Sequence, residues 1–243
     1  MPVRVDVTRS GMRQAGRPID VPIAVLTWIV AFVAGQFLSL AIVATSGETD
    51  QDLVPIPTLF AAVAATWVAF LVGAYAASKR AGSGDVRTDL GMRVRPIDVI
   101  GLPIGVLAQL VLVPLLYFPL REVWPDTFNE SKVSETADKL ANRASGATML
   151  LLVLMVCVGA PIVEEIVYRG LLQRSFSART SQVVAWLIVA AWFALVHFRP
   201  IEYPGLFAFG LVTGACLMFT DRLGMSWATH IGFNATGLLL ALR

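Results

Sequence analysis

The chain has 243 residues, of which 56% are hydrophobic and 15% charged, with a formal net charge of +2 and a mean hydropathy of +0.71. Its apolar residues are gathered in long runs, which excludes a soluble domain and predicts a polytopic membrane protein in contact with the lipid bilayer. The basic residues are spread without aromatic interleaving, so no nucleic acid partner is indicated. Cys157 and Cys216 both lie in apolar runs and form no disulfide framework or zinc-finger spacing.

A spanning helix needs about 20 mostly apolar residues. After an N-terminal tail over 1–21, the first candidate span covers roughly 22–45. It is too long for a signal-peptide core and is read as a retained anchor. Further candidates follow at 58–78, 97–120, 147–172, 183–198, 205–220 and 226–242, the fifth and sixth being the shortest. The expected fold is therefore an all-α, polytopic integral membrane bundle of about seven transmembrane helices. Between the third and fourth spans lies the longest polar insert, 121–146, in which Val133, Ala137, Leu140 and Ala144 recur at helical spacing. That predicts a short amphipathic helix on the membrane surface, or a lid. "GLPIG" (Gly101 to Gly105) and "GLVTG" (Gly210 to Gly214) are small-xxx-small patterns suited to close helix packing.

Charge orients the spans. With the N-terminus cytoplasmic, the inner segments hold Arg4, Arg9, Arg13, Arg17, Lys79, Arg80, Arg87, Arg93, Arg95, Arg174, Arg179 and Arg222. The outer ones hold Arg121, Lys132, Lys139, Arg143, Arg199 and Arg243, a ratio of twelve to six, and the first outer loop has no basic residue. The reading is a multi-pass protein of the cell (plasma) membrane with its N-terminus in the cytoplasm.

The ionisable residues within spans are Glu164, Glu165 and Arg169 on the fourth, His197 on the fifth and His230 on the seventh, and the chain has only two histidines. Each charge at bilayer depth costs about 2.5 to 3.5 kcal/mol on insertion scales, so such groups must be paired, hydrated or used. Glu165 and Arg169 stand at i, i+4 and suit an intrahelical ion pair, whereas Glu164 is rotated about 100° away and is left for a cavity. Pro161 removes one hydrogen bond and is expected to free the carbonyl of Cys157, kinking the helix beside Glu164. Phe193 and His197 share one helical stripe, as do His230 and Asn234. Counting through a turn near 177–182 places Glu164 and His197 at matching depth, roughly 22 Å along the helix. A straight drawing leaves His230 shallower, unless the loop "DRLGMS" is sunk into the protein or the helices tilt.

Two carboxylates, two imidazoles and a carboxamide suit hydrolysis. Glu164 with His197 can activate water towards an amide carbonyl, and His230 with Asn234 can donate to the oxyanion. Histidine and glutamate are also zinc ligands, so the residues alone leave a metalloprotease and a metal-free protease both open.

"EEIVYRG" matches the E-E-x-x-x-R motif, "FALVH" the F-x-x-x-H motif and "HIGFN" the H-x-x-x-N motif of the CAAX prenyl protease and bacteriocin-processing family, also called the Abi family of intramembrane proteases. The chain resembles this family over Glu164 to Asn234, with all three motifs in order. The resemblance implies a catalytic core over 146–243, preceded by N-terminal helices and loops over 22–145. It also implies a cavity opening towards the cytosol and endopeptidase activity on a membrane-anchored peptide or protein substrate, CAAX-like or of the bacteriocin or leader type. Glu164 and His197 would activate water, His230 and Asn234 would form the oxyanion site, and Glu165 and Arg169 would support them. Two other classes compete: a non-catalytic scaffold or immunity protein, and a proton or cation transporter, which would favour inverted repeats that the sequence does not show.

Overall fold

The computed structural model describes residues 18–243, so most of the N-terminal tail, with Arg4, Arg9, Arg13 and Arg17, lies outside the described residues. No strand occurs among the described residues.

Helix α1 (Val21–Ala44) starts at Asp20 with Pro22 in its first turn, where the missing N–H breaks no hydrogen bond. It runs beside α2 (Ile56–Ala81), which ends in Lys79 and Arg80. The long helix α3 spans Pro96–Val123. It opens with a 3-10 turn and contains a π segment at Ala108–Leu112. The polar insert forms α4 (Glu130–Arg143), capped by Asn129, whose side chain accepts from the Lys132 N–H at 2.9 Å. Helix α5 (Ala147–Ser177) is the longest and is followed by α6 (Gln182–Leu195), α7 (Tyr203–Thr220) and α8 (Gly224–Ala241).

Among the described residues five helices are long and apolar enough to cross a membrane, so the count of about seven is not confirmed. The fifth run, α6, has 14 residues, about 21 Å, because Phe198 turns left-handed (φ 53) and Pro200 cannot continue a helix. The last, α8, has 18 residues but carries His230 and Asn234, which lower its hydropathy.

The bundle has two chemically different ends. At one, Arg174 Nη1 meets Asp221 at 2.6 Å, Arg222 holds Asp98 at 2.6 Å, Arg179 pairs with Asp20, and the Leu223 N–H donates to the Gly91 carbonyl at 2.9 Å. This basic end joins the segments around 82–95, 178–181 and 221–223. At the opposite end Lys139 meets Asp52 at 2.7 Å, Arg143 donates to the Val54 carbonyl, and Tyr117 donates to the Ile201 carbonyl at 2.7 Å. The predicted amphipathic helix α4 lies at this opposite end. Its Val133, Ala137 and Leu140 line an apolar cavity of about 320 Å³ together with Leu152, Phe233 and Leu238.

Both small-residue patterns are packing contacts. A Cβ on Gly105 would collide with the backbone carbonyl of Thr229, and one on Gly210 would lie 3.1 Å from the Cα of Ala190. Gly105 thus sets how closely α3 approaches α8, the helix that carries His230. Gly105→Val is expected to destabilise the protein by about 1 to 3 kcal/mol through overpacking. Thermal unfolding in detergent checks this; an unchanged midpoint would mean the contact is compliant.

Candidate active site

The geometry of the site begins with a disturbance in α5. Residues Leu154–Gly159 and Glu165–Gln173 are wound as π-helix on either side of a short α segment, Ala160–Glu164, that contains Pro161. In the π register the Ala160 N–H donates to the Met155 carbonyl, five residues back. The next carbonyl, Val156, would look to residue 161, which is proline and has no N–H. Asn234 fills that vacancy, its Nδ2 donating to the Val156 carbonyl at 2.8 Å. Pro161 therefore frees Val156 and not Cys157, because the helix is wound in the π and not the α register. Trp227 Nε1 adds a second tie between α8 and α5, donating to the Ile162 carbonyl at 3.1 Å.

Glu165 and Arg169 are wholly enclosed, both at 0% exposure. Arg169 Nε stands 3.3 Å from Glu165 Oε2, the ion pair expected from the spacing. Arg169 Nη2 also donates to the Gly210 carbonyl at 3.0 Å and to Thr213, and its guanidinium lies 4.9 Å from the centre of the Phe193 ring. The other oxygen of Glu165 reaches a partner the sequence did not assign, His230 Nδ1 at 2.8 Å. A carboxylate only accepts, so Nδ1 carries the proton and Nε2 is turned outwards, 3.7 Å from Glu164 Oε2. His230 thus stands between the two glutamates. It reaches them because the α7–α8 loop is sunk: Leu223 is fully buried, and the Gly224 N–H is held by the Arg93 carbonyl at 3.1 Å.

Glu164 and His197 come from separate elements and line one cavity of about 140 Å³. His197 lies just beyond the end of α6 and not on it, yet it keeps its contact with Phe193, ring centroids 4.8 Å apart. Its Nδ1 is 2.7 Å from the Phe193 carbonyl, which only accepts, so Nε2 is left with a free lone pair. Phe193 itself is core, packed against Tyr168, His197 and Arg169. The remaining walls were not legible as site residues. Gln36 and Phe32 come from α1, Thr66, Trp67 and Phe70 from α2, and Tyr168 from α5. Only Gln36, a lone amide in an apolar run, carried a signal.

Asn234 is not brought to this cavity. It lines the larger apolar one beneath α4, with its amide engaged by Val156. Among the described residues no three His, Cys, Asp or Glu side chains converge as metal ligands. His197 and His230 each engage Nδ1 with an acceptor and leave Nε2 free, which by itself would suit a metal ligand, whereas Glu165 is committed to Arg169 and His230. It is the lack of convergence of a third group, not the state of the imidazoles, that argues against a three-ligand zinc site among the described residues.

Residues 146–236 match the protein-family model described as Rce1-like, Type II CAAX prenyl endopeptidase Rce1-like. The match spans the three motifs and the helices that carry them, in agreement with the resemblance read from Glu164 to Asn234. No curated protein and no solved structure matches the chain.

Proposed function

We propose, from the premise that residues 146–236 carry the core of a CAAX protease family, that the protein is an intramembrane endopeptidase that hydrolyses a peptide bond of a membrane-tethered substrate. The observation that carries this reading is the shared cavity of Glu164 and His197, with His230 Nε2 beside Glu164. A volume of about 140 Å³ admits water, whose share of liquid volume is about 30 Å³.

In this reading water sits against the Glu164 carboxylate, which takes one proton as the oxygen attacks the peptide carbonyl. His197 Nε2 orients the water through its lone pair. As the tetrahedral intermediate collapses, the C–N bond breaks and the proton held by Glu164 passes to the leaving amine. His230 donates to the oxyanion from Nε2 in its doubly protonated form, having taken that proton from bulk water before the attack and keeping it throughout; Glu165 holds its ring and Arg169 holds Glu165, so both are positioning residues. Asn234 joins the oxyanion site only on leaving the Val156 carbonyl; as placed, it anchors α8 to the π segment. The substrate is a peptide tethered to the bilayer, of CAAX-like or leader type.

The test is cleavage of membrane-anchored peptides by purified protein in proteoliposomes, comparing the parent with His197→Ala, each with and without chelator. The expected result is cleavage by the parent that persists with chelator and falls about 10²- to 10⁴-fold in the variant. A chelator-sensitive parent would restore the metal route. A parent that cleaves nothing would favour the scaffold reading.

A further inference from the structure

The carboxamide of Gln36 lies in the middle of an apolar helix. Helical rise places it about 22 Å from the start of α1 and about 12 Å from its end, within a hydrocarbon core of about 30 Å. From that depth the side chain is too short to reach either interface. Gln36 is exposed, it lines the cavity of Glu164 and His197, and its amide has no hydrogen-bond partner among the described residues. An amide left without a partner in hydrocarbon is costly, so a group of this kind at this depth is a candidate for use.

Packing holds that amide in place. A Cβ on the neighbouring Gly35 would lie 2.9 Å from Thr66 Cγ2 and 3.1 Å from its Cα, so α1 and α2 are in close contact beside Gln36. The other polar groups on the α1 and α2 walls offer less. Thr66 directs its hydroxyl proton to the Gly35 and Ala62 carbonyls, at 3.2 and 3.3 Å, and the Trp67 indole is a donor only. Gln36 presents an acceptor, Oε1, and a donor, Nε2, side by side, the pair that matches the N–H and C=O of one extended residue. Glu164, His197 and His230 deal with a single peptide bond. A bound peptide brings further backbone groups on either side of that bond, and at this depth they need partners.

We infer that Gln36 binds the substrate main chain: its amide pairs with the N–H and C=O of one residue beside the scissile bond and holds the peptide extended against Glu164. The ligand so selected is an extended peptide backbone, whatever its side chains. A helical segment, whose backbone groups are already paired, has to unwind before it can engage. Gln36 lies outside residues 146–236, so the family match assigns it no role. That the ligand is a substrate rests on the peptidase reading; the backbone pairing is read by binding and not by turnover.

The test uses an acylated, fluorescent peptide of alternating leucine and alanine in nanodiscs, with analogues in which one backbone N–H at a time is replaced by an ester oxygen. Binding is measured in the Glu164→Gln background, where turnover is slow, with Gln36 intact or changed by Gln36→Leu or Gln36→Met. Both apolar side chains suit a helix in lipid, and the unfolding midpoint checks that each variant folds. The expected result is that one ester position weakens binding about tenfold with Gln36 intact and has no effect in the variants, which bind the all-amide peptide about tenfold more weakly. A merely structural role would weaken every analogue alike. Equal loss at all positions, an ester penalty that survives Gln36→Leu, or no binding with Gln36 intact would overturn the inference. Cleavage of the same peptide with Glu164 intact is read separately. Binding with the expected ester pattern but without cleavage would sink the peptidase reading and leave the backbone contact standing.

Discussion

Glu164→Gln is expected to lower kcat for peptide cleavage by about 10²- to 10⁴-fold while leaving KM nearly unchanged. The substitution keeps the shape of the side chain, so the cavity of about 140 Å³ and the neighbouring His230 remain as they are. What is lost is the basicity that takes the proton from water. Glu164 is the carboxylate available for this, its side chain 27% exposed, whereas that of Glu165 is at 0% and already engaged by Arg169 and His230. Single-turnover cleavage separates chemistry from release of product. A variant that retained more than about a tenth of parental kcat would remove Glu164 from the proton transfer.

Arg169→Met is expected to destabilise the protein by about 3 to 5 kcal/mol, the largest effect on stability anticipated for a single change. An exposed ion pair is worth about 0 to 1 kcal/mol. Arg169 and Glu165 are in a different regime, because their side chains are 1% and 0% exposed and removing the arginine strands a carboxylate in the core. The bonds to Gly210 and Thr213 that clamp α7 to α5 are lost as well. The double variant Arg169→Met with Glu165→Met removes both charges and is expected to recover most of the stability, since an apolar pair of similar volume tolerates such a site. Its cleavage is expected to stay low, because His230 loses the carboxylate that holds its Nδ1. Thermal unfolding in detergent, read beside peptide cleavage, tests both parts. A single variant as stable as the parent would mean that the buried charge finds another partner, and recovery of cleavage in the double variant would sink the positioning role of Glu165.

Much of this was legible in local sequence. The Glu165 and Arg169 pair follows from i, i+4 spacing, and the helical character of 130–143 follows from the recurrence of Val133, Ala137 and Leu140. The matching depth of Glu164 and His197 follows from equal path lengths through one short turn. The second partner of Glu165, the sunken loop before α8 and the engagement of Asn234 by Val156 were not legible. Each depends on a register between helices, and a π insertion shifts that register without leaving a periodic signal. The cavity walls on α1 and α2 escaped for a related reason: Phe32, Thr66, Trp67 and Phe70 read as ordinary span residues until the helices are rotated against each other.

The sequence by itself determined a multi-pass helical membrane protein, the side chains too polar to leave in lipid, and a charge asymmetry between its two ends. Tertiary structure alone decided which of those side chains meet. It set His230 between Glu164 and Glu165, turned Asn234 to the cavity beneath α4, and brought His197 to the cavity of Glu164. Hydropathy and charge are sums over residues and survive in a linear string. Contacts between helices depend on rotation and axial shift, which here are set by the close approach at Gly105, the π turns of α5 and the carbonyl that Pro161 leaves without a donor.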